Sequence, residues 1–155
     1  MNPAHLHLIV THVPVLGALF GLGLLLLAIL QANQQLKRTS LWVLFLTGLA
    51  AVPTYISGRP ASALLLKLMP GMSMDACDQH AEVAVIALVS ASVLGVAALA
   101  GLLVSRKGKR TPGWLTTVTL LLALLTTAMM AWTASLGGNI RHTEIVCTPD
   151  LHTAR

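Results

Sequence analysis

Four long apolar runs organise this chain, separated by short polar stretches. The first covers 8–30 and stops at QANQQ; the others cover 41–57, 81–104 and 114–136. A helix needs ~20 mostly apolar residues to cross the hydrocarbon core, within a range of about 17–25. Each run meets that requirement, the second only just, and Pro53 is expected to kink it. The runs are continuous and rich in Leu and Ala. They lack the period-two alternation of barrel strands, so they predict helices. The expected fold is all-α: an integral membrane four-helix bundle forming one domain over residues 1–155. Gly17 and Gly21 have the spacing of close helix packing. The longest connection is 58–79. Within it, ASALLLKLMP reads as a short interfacial helix, with Pro60 in its first turn and Pro70-Gly71 at its end.

Composition agrees with the pattern. Hydrophobic residues make up 55% of the 155 and charged residues 10%, with a mean hydropathy of +0.79. A soluble domain carries about 25% charged residues. No Lys or Arg precedes the first run, so it lacks the positive start of a cleaved signal and is expected to remain as a span.

Charge adds an orientation. Lys37 and Arg38 lie in the first connection; Arg106, Lys107, Lys109 and Arg110 lie in the third. These are six of the ten basic residues, with no acid among them. The opposite side holds Arg59, Lys67, Arg141 and Arg155, and all five acids: Asp75, Asp78, Glu82, Glu144 and Asp150. The positive-inside rule then expects the basic connections in the cytoplasm and both termini outside, facing the periplasm of a bacterial inner membrane. The net charge of +5 is thereby a topology signal and calls for no nucleic-acid partner.

The histidines fall on one side only. His5, His7 and His12 start the first helix, His80 starts the third, and His142 and His152 follow the fourth. His5 and His12, seven residues apart, share a helix face, with His7 pointing elsewhere. His12 lies deep enough to need a hydrogen bond or a metal, and Pro14 should free a carbonyl nearby. Gly137-Gly138 is expected to end the fourth helix and turn Arg141, His142 and Glu144 back over the bundle mouth.

One such histidine would most simply be a hydrogen-bonded surface residue. The set on three helix ends points to a cofactor. Haem b, one or two copies, needs only axial imidazoles. His12 with His80 is the first choice, His12 with His142 another; His5 could hold a second haem, and Arg141 could pair with a propionate. The alternative is copper, zinc or non-haem iron on His5, His7, His12, His80 and His142, with oxygen from Glu144, Glu82 or Asp75. Met69, Met72 and Met74 are more simply apolar filling than thioether ligands. A structural subunit without cofactor is the third reading. Cys77 and Cys147 fall on the same oxidising side and could form a disulfide over the site. Helix interiors carry no charge, which disfavours transport.

HLHLIVTHVPVLG at the start, MPGMS before His80 and AWTASLGGNIRHTEI near the end carry a resemblance. Over nearly its whole length the chain resembles an uncharacterised family of small bacterial four-span membrane proteins. That family is similar to a broader group suspected of binding haem b through helix-end histidines. The resemblance implies interest in His5, His7, His12, His80, His142 and Glu144, while Cys77, Cys147 and the methionines have no assigned place in the pattern. The function expected is electron transfer, as an accessory protein rather than a stand-alone enzyme. Its partners would be the bilayer, other subunits of a membrane redox complex and a quinol.

Overall fold

The computed structural model of the protein describes residues 3–68 and 74–141. Four helices carry the fold: α1 (Pro3–Leu30), α2 (Gln34–Leu68), α3 (Met74–Val104) and α4 (Gly113–Arg141). A single 3₁₀ turn, Arg106–Gly108, lies between α3 and α4. Each helix is long and apolar enough to cross a membrane. This is the interior of a multi-pass membrane protein, turned toward lipid by exposed residues such as Phe20, Ile56, Val96 and Leu121.

The helices pack in a ring, α1 on α2, α2 on α3, α3 on α4 and α4 back on α1. Short connections make ring neighbours antiparallel and leave α1 and α3 diagonal and parallel. At the first connection Ala32 takes a positive φ of 48°. Asn33 then caps α2, its Oδ1 accepting from the N–H groups of Gln35 and Leu36, both at 3.0 Å. The six basic residues of the two connections therefore gather at one end, and His5, His7, His12 and His80 at the other. Trp114 and Trp132, both exposed on α4, are eighteen residues apart, about 27 Å along a helix. That separation matches a bilayer core with one tryptophan near each interface.

Small residues let the backbones meet. Gly17 and Gly21 face Thr47 and Leu44 of α2, as their spacing predicts. Toward α3, a Cβ on Gly48 would lie 2.7 Å from the Ala91 carbonyl oxygen and 2.9 Å from the Gly95 Cα. Leu25, Leu41, Leu44, Leu94 and Ala98 fill the core beside these contacts.

Two expectations change at the helix ends. Residues 61–68 do not form a separate interfacial helix; α2 runs through Pro53 and Pro60 to Leu68 without a break. Ala61 is buried, which holds this extension against the bundle. Prolines are tolerated in membrane helices where neighbours re-satisfy the freed backbone. Likewise α4 does not stop at Gly137-Gly138 but continues to Arg141, since helix keeps the backbone polar groups paired in an apolar setting.

Pro14 behaves as expected. It is buried and frees the Val10 carbonyl, four residues earlier. Thr54 of α2 supplies the missing donor: its hydroxyl lies 3.3 Å from the Val10 oxygen and 2.9 Å from the Ala50 oxygen.

Candidate functional site

The start of α1, the end of α2, the start of α3 and the end of α4 meet at one end of the bundle. Two histidines turn inward there. His7 of α1 is half-buried, and its Nδ1 lies 2.8 Å from the Ser57 Oγ on α2. The same hydroxyl lies 2.7 Å from the Thr54 carbonyl oxygen. A carbonyl only accepts, so a Ser57 hydroxyl that donates to Thr54 can accept from His7 Nδ1. In the tautomer protonated on Nδ1 the ring presents a lone pair at Nε2, the form in which an imidazole binds a metal. Gly58 gives the ring room: a Cβ there would lie 3.5 Å from the His7 Cε1.

His80 enters from α3, diagonally opposite. Its ring packs on α4, where a Cβ on Gly137 would approach Cε1 to 3.2 Å and Nδ1 to 3.6 Å. The Thr133 main chain also interacts with the ring. The His80 Nδ1 is nevertheless buried without a hydrogen-bond partner among the described residues. Such a group is costly in an apolar setting and calls for a ligand or donor. The two rings lie close enough for their charges to interact.

The other candidates stand apart from this pair. His5 and His12 are exposed on the outward face of α1. The His12 Nδ1 donates to its own helix, to the Leu8 carbonyl at 2.6 Å. Asp75, Asp78 and Glu82 are exposed around the first turns of α3, as is Met74. Cys77 there is partly buried and has no disulfide partner among the described residues. Arg141 is the last residue of α4. His142, Glu144, Cys147, His152, Met69 and Met72 lie outside the described residues, and with them the expected disulfide.

The donor set can be weighed against the cofactors considered. Among the described residues, no three His, Cys, Asp or Glu side chains gather as a metal site would require. A tetrahedral zinc takes three or four protein ligands, so two donors would have to come from elsewhere. Haem brings four equatorial nitrogens of its own and needs one or two axial ligands. The pair His7 and His80 meets that smaller demand in number of donors.

The sequence offered no signal for Ser57 and Gly58 beside His7, and Gly137, expected as a helix end, instead packs against His80. One signal for His7 was present. It lies on the stripe of Pro14, Ala18, Gly21, Leu25 and Ala28, all buried, at the three-, four- and seven-residue steps of one helix face.

No family model, curated protein or solved structure matches this chain.

Proposed function

We propose that the protein is a membrane electron-transfer protein, or a small subunit of a redox complex, in which His7 and His80 would hold haem b between α1 and α3. The observation that carries this reading is the inward pair on diagonal helices, with His7 held through Nδ1 by Ser57. Bundle cores build cofactor sites from facing helices in this way. Haem b, when bound, would supply a one-electron couple at this end of the bundle. The chain's own part is to fix the ring orientations: Ser57 and Thr54 hold His7, and Thr133 and Gly137 hold His80.

The positive-inside rule orients the reading. With the basic connections in the cytoplasm, the histidine end faces the periplasm of a bacterial inner membrane, both termini outside. The redox partner, another subunit or a quinol, would meet the protein there. His5 and His12, exposed on the same helix, are available to such a partner rather than to the iron.

Purification after expression with a haem precursor tests the reading. A Soret band that shifts and sharpens on reduction, with haem stoichiometric to protein, is the expected result. Stoichiometric copper or zinc without a Soret band overturns it.

A further inference from the structure

The end of the bundle away from the histidines carries a second arrangement, independent of the haem reading. The chain has no Asp or Glu before Asp75 and none between Glu82 and Glu144. Among the described residues, every acid lies at the start of α3, remote from the cations of the two basic connections, which have no counter-ion at their own end among those residues. A cleft of ≈ 490 Å³ opens there between the start of α2 and the 3₁₀ turn. Gln35, Arg38, Thr39, Trp42 and Lys109 are among its walls.

Its geometry is built rather than incidental. Arg38 donates through Nη1 to the Ser105 carbonyl at 3.2 Å, which steadies the guanidinium and leaves its other N–H groups available. Gly108 takes a φ of 77°, a left-handed turn that suits glycine, and Lys109 follows it on the cleft wall. The α2 N-terminus is already capped by Asn33, so the side chains make the site. Trp42 stands one helical turn from Arg38 on the same face and is half-exposed. A pair of cations at the polar rim with an aromatic wall toward the lipid matches a phosphate joined to acyl chains. A similar cleft of ≈ 410 Å³ sets Lys37 and Arg110 above Ile29 and Leu120.

We propose that the Arg38–Lys109 cleft binds the headgroup phosphate of an anionic phospholipid, whose acyl chains run past Trp42 along α2. A free phosphate would use the cations but leave the apolar wall unused.

Thermal unfolding of the full chain in mixed micelles tests this. Phosphatidylglycerol should raise the midpoint by several degrees over the same mole fraction of phosphatidylcholine. Lys109→Gln and Arg38→Gln should each remove most of that difference, and Lys67→Gln, at the opposite end, should keep it. Native mass spectrometry of the unmodified chain should retain phosphatidylglycerol in preference to phosphatidylcholine, a readout that does not depend on the variants folding. Equal midpoints and equal retention for the two lipids overturn the proposal. So does a full response in both cleft variants, or the same midpoint shift with inorganic phosphate alone.

Discussion

His7 Nδ1 sits 2.8 Å from the Ser57 hydroxyl, which itself donates to the Thr54 carbonyl at 2.7 Å. This relay fixes the orientation of the ring. Removing such a supporting partner costs about 10–100-fold in ligand affinity at metal sites. Ser57→Ala should therefore weaken haem binding by about that factor, read by haem titration of the apoprotein. An affinity equal to that of the unmodified protein would mean the relay does not serve the site.

Gly137 makes room for His80. With a Cβ at 3.2 Å from the His80 Cε1, Gly137→Val must push the ring away. Its neighbour Gly138 has open space, with nothing within 4 Å among the described residues. Gly137→Val should lower haem occupancy while Gly138→Val keeps it, measured as the ratio of Soret to protein absorbance. Equal occupancy in the two variants would remove Gly137 from the account.

The Thr54 bridge to Val10 gives a stability prediction. Interhelical hydrogen bonds in membranes contribute about 0.6 kcal/mol on average and about 1.7 at most. Thr54→Val should destabilise the fold by about 1 kcal/mol in a denaturant titration. In a Pro14→Ala background the restored N–H can bond to Val10 within α1, so the same change should cost less. The coupling in this double-mutant cycle is the readout; additive effects would show that Pro14 does not create the need for Thr54.

The backbones of α2 and α3 touch at Gly48 and Gly95. A Cβ on Gly48 would meet main-chain atoms at 2.7 and 2.9 Å, which cannot rotate aside. Gly48→Ala should cost about 1–3 kcal/mol by overpacking. Gly23→Ala, where a Cβ meets nothing within 4 Å among the described residues, should be neutral or slightly stabilising. Matching unfolding midpoints for the two variants would contradict this contact.

The four spans were legible because apolar run length reports directly on the hydrocarbon core. The helix ends were not. α2 begins at Gln34 and α3 at Met74, seven residues before their apolar runs, because a helix leaving the core carries polar residues without a hydropathy signal. That His7 and His80 share one end of the bundle was legible in the one-sided histidines. Their partners were not: spacing shows that His5 and His12 share a face but not which face turns inward. Pro14 and Gly21, small or kinked positions that suit close packing, mark the inward face on which His7 lies. Contacts such as Gly137 against His80 depend on the register of α4 against α3, which no local pattern encodes.

The central claim is that His7 and His80 hold one haem. Visible spectra of four single variants, His5→Ala, His7→Ala, His12→Ala and His80→Ala, purified after expression with a haem precursor, test it most directly. The account predicts that His7→Ala and His80→Ala each lose the reduced low-spin spectrum, while His5→Ala and His12→Ala keep it. A spectrum that survives unchanged in His7→Ala and His80→Ala, or disappears only in His12→Ala, would contradict it.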